Sequence, residues 1–188
     1  MVGTLELMFD NGGVDGTPGA SASWANMRFR TDDLNTQNLT NPVPIRTGLT
    51  KRSYVRSCYL KCTVAPDTKI DNLQIYSDGT GFGTGISVHV STSFPTRNSG
   101  ATTGYKVATG TPGDSGTEMV ALYGCTKADL FGYTSGSTLT GPSVSESGAI
   151  INAQNETTNY FLLQATVIDT AAPGLKTPEV ITIQYDEI

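Results

Sequence analysis

An all-β fold, an antiparallel sandwich of jelly-roll type with about nine strands and almost no helix, is what this sequence predicts. Three observations carry the prediction. The chain holds 28 Thr and 15 Ser beside 21 Gly and 9 Pro, a mixture of strand and turn formers that argues against long helices. Several short segments alternate between apolar and polar residues, the period of a strand with one wet face, so the sheets should be antiparallel. Turn chemistry separates these segments at short intervals. The 188 residues suit a single domain, and a hydrophobic fraction of 37% suffices for a core. A helical bundle, a coiled coil, a membrane span and a disordered chain are excluded on composition.

In chain order, the candidate strands are Thr4–Phe9, Trp24–Arg30, Tyr54–Val64, Ile70–Ser77, Gly85–Ser91, Gly104–Ala108, Glu118–Gly124, Tyr160–Ile168 and Glu179–Tyr185. Two are sharply patterned. Cys58, Leu60, Cys62 and Val64 share one face of Tyr54–Val64, with Ser57, Lys61 and Thr63 opposite. Phe161, Leu163, Ala165 and Val167 share one face of Tyr160–Ile168, with Gln164 and Thr166 opposite. The one helix-like run is Lys127–Phe131. Turns are expected at Asp10–Gly13, Asp78–Gly81, Thr111–Gly116, Thr140–Pro142 and Ala172–Gly174, where glycine supplies positive φ or proline a fixed φ. The series Gly79, Gly81, Gly83, Gly85 opens no helix and reads as a hairpin tip, not a phosphate cradle. Two polar stretches, Asp10–Ser23 and Asn35–Thr50, are long enough to reach away from the core, so residues 1–23 are expected as an extended arm and 35–50 as a long polar connection. Ordinary surface loops are the alternative.

Charge and targeting narrow the partners. A net charge of −5, with only 15% charged residues, disfavours nucleic acid and anionic membrane as partners. Met1–Asp10 lacks the basic start and apolar stretch of a secretory signal, and Tyr160–Ile168 is about half of a membrane-spanning length, so synthesis and retention in a cytosol are expected. Three cysteines (Cys58, Cys62, Cys125) make no disulfide framework and read as buried free thiols. Sequons stand at Asn38–Thr40 and Asn155–Thr157, as chance provides in so threonine-rich a chain.

Residues that could do chemistry are few. Gly113–Gly116 matches the tetrapeptide around the nucleophile of trypsin-like proteases, yet Thr117 and Glu118 depart from that pattern, and a hairpin turn accounts for it. The lone histidine, His89, lies mid-strand. Cys58, Cys62, Cys125 and His89 lack the tight-turn spacing of structural zinc sites. Asp10, Asn11 and Asp15 set two carboxylates and an amide in one loop, a candidate calcium site without helix–loop–helix spacing. No catalytic residue and no cofactor are expected. From Leu34 to Pro66 there is no acid, and Arg46, Lys51, Arg52, Arg56 and Lys61 contribute five positive charges, whereas Asp186 and Glu187 cluster negative charge at the carboxyl terminus. Opposite potentials on one small chain suit contact between copies, so these seven residues are the candidate interface; the alternative is a solvated strand edge guarded by cations. Trp24, Tyr54, Tyr59, Tyr76, Phe82, Tyr105, Tyr123 and Tyr133 could build a sugar-stacking platform or serve the core rim.

The carboxyl-terminal segment adds a resemblance. Asn159–Gly174, a polar spacer and then Glu179–Ile188 resemble the close of virion structural proteins from tailed viruses of bacteria and archaea, in which a long strand, an Ala-x-Pro-Gly turn and a strand ending in Tyr-Asp-Glu complete a β-sandwich. Ile70–Ser77 with its Asp78-Gly79 turn resembles another strand of that group. The resemblance covers about a quarter of the chain and implies a capsid-decorating, neck- or tail-associated role in a virion, without catalysis, as a homo-oligomer touching other virion proteins. The alternative expectation is a carbohydrate-binding or adhesion module of a surface or tail-fibre protein, which would be monomeric and would bind glycan.

Overall fold

The computed structural model describes residues 2–36, 40–97, 101–142 and 151–188. In chain order these form β1 (Thr4–Asn11), β2 (Ala20–Ser23), β3 (Lys51–Arg52), β4 (Arg56–Val64), β5 (Ile70–Ser77), β6 (Ile86–Ser91), β7 (Gly110–Thr111), β8 (Ser115–Gly116), the short helix α1 (Met119–Tyr123), β9 (Lys127–Asp129), β10 (Leu139–Thr140), β11 (Phe161–Val167) and β12 (Ile181–Glu187). Every pairing is antiparallel. The large sheet runs β2-β1-β4-β11-β6-β9, with β3 also on β11; a small sheet runs β10-β5-β12; and β7-β8 is the hairpin expected at Thr111–Gly116. The all-β, sandwich-like reading holds. No helix among the described residues is long and apolar enough to cross a membrane.

The strands with strict alternation sit where the sequence put them. β11 is central in the large sheet, and its face of Phe161, Leu163 and Ala165 packs with Phe9, Cys58, Val88, Val90 and Ile75 between the sheets. Further along the same interface, Leu60 and Cys62 of β4 meet Ile70 and Leu73 of β5. Burying a side chain the size of Leu or Phe contributes about 1.5–3 kcal/mol, so this seam drives the pairing of the two sheets.

The second face of the large sheet is not wet, as alternation implied. A third layer made of the 102–108 segment and α1 covers it, and Tyr59, Tyr160 and Leu162 pack there with Tyr105, Met119 and Cys125. Polar residues buried on that face include Gln164 and Ser57, which are hydrogen-bonded. Gln164 donates from Nε2 to the carbonyls of Ser53 and Thr117, both at 2.8 Å, and accepts from the Met119 amide at 2.9 Å. The Ser57 and Tyr123 hydroxyls share a 2.7 Å hydrogen bond.

Several local expectations are corrected. The stretch expected as an arm is folded from Thr4 onward: β1 pairs along nearly its whole length with β4, Phe9 is fully buried, and β2 folds back onto β1. Alternation of Leu7 and Phe9 with Met8 and Asp10 gives this segment a buried face on each side, which its polar continuation obscured. The turn between them needs glycine at position 13, where φ is 76° and an added Cβ would lie 2.3 Å from the Thr17 carbonyl. The Gly79–Gly85 run is no hairpin tip; it carries the chain from the small sheet to the large one. Trp24–Arg30 forms a 3₁₀ turn over Trp24–Asn26 and then a single bridge, Arg30 to Pro42, where proline has no amide to extend a ladder. Glu118–Gly124 is α1, built from the helix formers Met119, Ala121 and Leu122 and ended by Gly124 in the left-handed region. Gly104–Ala108 joins no strand, and Lys127–Phe131 is β9 followed by a 3₁₀ turn capped by Asp129, which accepts from Phe131 N.

Candidate functional site

The basic segment is largely consumed inside the fold. Lys51 pairs with Asp114 at 2.7 Å, and Arg52 lies 3.7 Å from Glu118. Arg56 is 1% exposed; it donates to the carbonyls of Arg28 (3.0 Å) and Asp32 (3.1 Å) and faces Asp33 at 3.6 Å. As an interface residue Arg56 is therefore corrected: it lies on the Cys58 face of β4, buried over the Phe9 ring, where burial demands internal partners, whereas Lys51 and Arg52 are half-buried and paired with acids of the same chain. Arg46 remains exposed, and Lys61 is half-buried on the same face of β4 as Tyr59. At the other end of the chain, Asp186 is exposed and accepts from Asn72 Nδ2 (2.9 Å), while Glu187 accepts from the Gly3 amide (2.6 Å).

Two buried ionic networks were not foreseen. In the first, Arg97 stands 3.1 Å from the fully buried Asp10 side chain, lies over the Tyr59 ring at 3.5 Å and donates to Thr157 Oγ1. Asp10 also accepts from Tyr160 OH at 2.5 Å and from Ser21 Oγ. In the second, Arg30 meets the Asp32 carboxylate through Nε and Nη2, at 2.5 and 2.6 Å. Burial pushes Asp32 up, but donation from Asn41, Arg30 and Leu34 outweighs it and holds the carboxyl below its ordinary value. Its neighbour Asp33 goes the other way: burial raises it to about 6, against the pull of Gly12 N and Arg56. The acidic doublet Asp32-Asp33 close behind Arg28 and Arg30 was a legible signal, because alternating opposite charges in a threonine-rich loop need partners. The first network holds Arg97 against β1 of the large sheet, and the second ties the 30–41 loop to itself.

The calcium expectation is corrected by the same contacts. Asp10 and Asn11 are buried, Asn11 donates to the Asp33 carbonyl, and Asp15 turns outward to Lys106 and the Val107 amide. Their oxygens face different neighbours, because the β1–β2 hairpin sends Asp10 under the sheet and Asp15 to the turn. The cysteines do not converge either: Cys58, Cys62 and Cys125 belong to three separate buried clusters. Burial raises each thiol above its ordinary pKa, so they behave as small hydrophobes. Ser115 Oγ accepts from the Arg52 amide and donates to the Gly116 carbonyl, as a turn residue does. His89 sits in register with Gln164 and Asp129, and burial with the Lys127 charge lowers its pKa. Asn155 is exposed in a left-handed turn, and Asn38 lies outside the described residues.

The aromatic residues make no exposed row. Tyr54, Tyr59 and Tyr105 are buried, and Phe82 stands edge-on to Phe131 against the core. An open depression of about 330 Å³ is lined by Phe94, Pro95, Lys106, Tyr123 and Cys125, and the Tyr123 hydroxyl within it is already bound to Ser57 and to the Lys106 backbone.

The edge of β12 away from β5 faces outward. Among the described residues, its backbone hydrogen-bonds only to β5. No protein-family model, no curated protein and no solved structure matches the chain.

Proposed function

We propose that this chain is a non-enzymatic structural subunit of a virion, decorating a capsid or associated with a neck or tail, and acting through contacts between its own copies and with a surrounding lattice. One observation carries the reading. The two strands whose sequence resembles the close of virion β-sandwich proteins are β11, at the centre of the large sheet, and β12, at the open edge of the small one, joined through the Ala-Ala-Pro-Gly turn. A scaffold covered on both faces, with its buried charges paired internally, supports such a role physically: repeated weak contacts suffice when symmetry multiplies them. The adhesion reading draws less support, because three of its candidate stacking aromatics lie in the core.

The test is particle mass in dilute solution, by light scattering or native mass spectrometry, read beside a glycan array. Assembly beyond the monomer with no glycan signal is the expected result. A strict monomer that binds glycan overturns the proposal in favour of the adhesion module.

A further inference from the structure

We propose that the β12 edge is a two-fold seam at which a second copy of this chain adds its own β12, antiparallel and centred on Gln184, joining two small sheets into one continuous sheet. The inference deepens the assembly role proposed above and rests on it. Among the described residues the large and small sheets present four edges at the ends of their strand orders, and three are blunted by length. β2 has four residues, β9 three and β10 two, whereas β12 offers seven. Long, unpaired edges rich in β-branched residues invite strand addition, and natural proteins ordinarily shorten or guard them. β12 reads Ile-Thr-Ile-Gln-Tyr-Asp-Glu.

The strand is also flat enough to be extended. The irregularity in the β5–β12 ladder places Asn72 and Leu73 of β5 against Tyr185, and Asn72 takes a φ of 51°, so the extra residue belongs to β5 and β12 runs straight. Ile181, Ile183 and Tyr185 face the large sheet but stay half-buried, which leaves the flank of the core open on this side. Val180, Thr182, Gln184, Asp186 and Ile188 point the other way.

Register selects the partner. Centring on Gln184 opposes Val180 to Ile188, Ile181 to Glu187, Thr182 to Asp186 and Gln184 to itself. The two exposed apolar residues that flank the strand, at 64% and 63% exposure, then cover each other, and no acid faces an acid. Centring on Ile183 instead opposes Glu179 to Glu187, a destabilising like-charge pair. Centring on Tyr185 leaves Val180 without a partner. Only the Gln184 register is self-complementary in both charge and apolar surface, which is what an isologous contact requires.

The experiment uses the full chain. Native mass spectrometry should give twice the 19.8 kDa of one chain, or a multiple containing that unit. Gln184→Cys should form an intermolecular disulfide on mild oxidation, because directly opposed residues in antiparallel strands lie about 4.5–5.5 Å apart at Cα. Thr182→Cys should not, since its twin lies about four residues away, roughly 13 Å. Val180→Glu with Ile188→Glu should halve the mass, and Val180→Lys with Ile188→Glu should restore it. Both positions are exposed, so an unchanged circular dichroism spectrum is expected throughout. If the copies still assemble with both glutamates present and Gln184→Cys does not crosslink, the seam lies elsewhere: this proposal falls and the assembly role stands. A chain that stays monomeric also overturns the seam, and the glycan array then decides the role itself.

Discussion

Replacing Arg97 by Met should be among the most damaging single changes outside the apolar core. Met keeps most of the stem volume over Tyr59 but removes the charge that stands 3.1 Å from Asp10, whose side chain has no exposure at all. Breaking a buried pair by deleting one partner costs about 3–5 kcal/mol, because the other charge is left uncompensated. Tyr160 and Ser21 still donate to Asp10, which places the expected loss toward the lower half of that range, and the lost stacking on Tyr59 restores about 1–2 kcal/mol to it. In a chain of this size each kcal/mol lowers the melting temperature by roughly 2–4 °C, so a fall of about 10 °C or more is expected. Urea denaturation of wild type, Arg97→Met, Asp10→Asn and the double variant completes a thermodynamic cycle. The double variant should be distinctly less destabilised than the two single losses added together, since the orphaned charge is gone. A single loss under about 1 kcal/mol, or strict additivity, would refute the assignment of this pair as the clamp that holds Arg97 against the large sheet.

The remaining predictions are briefer. Asp33 is raised in the folded state, to about 6 from an ordinary 3.8. Its contribution to stability is therefore fully present below pH 3.8 and is lost as pH rises through 6, by up to about 3 kcal/mol at 1.36 kcal/mol per unit. Asp33→Asn, which keeps an acceptor for Gly12, should flatten that component, and a urea midpoint series between pH 4.5 and 7 that is unchanged by the substitution would count against it. Gly116→Ala should cost several kcal/mol or prevent folding, because the new Cβ would lie 2.2 Å from the Ser53 carbonyl, whereas Gly132→Ala, with open space around it, should be neutral in the same thermal melt. All three cysteines should resist a thiol reagent in the native protein and react together on unfolding; rapid labelling of any one without denaturant would contradict its burial.

The sequence by itself determined the elements whose periodicity is self-sufficient. Ile70–Ser77 needed nothing beyond alternation and its turn, and β4, β6, β11 and β12 were likewise legible, because a strand that buries one face against a sheet must repeat every second residue. Only the tertiary structure decided three other things. It decided that the polar face of β4 and β11 is covered, since Ser57 and Gln164 become buriable only when Tyr123, Ser53, Thr117 and Met119 arrive from distant positions to bond them. It decided that Arg56 and Asp10 are internal, since a charge reads as surface until a counter-charge remote in the chain makes burial tolerable: Arg97 is 87 residues from Asp10. It decided, too, that β1 lies inside the large sheet while, among the described residues, β12 ends the small one. Which strand ends a sheet depends on how many neighbours the whole chain supplies, and a local pattern of two-residue period carries no count of them.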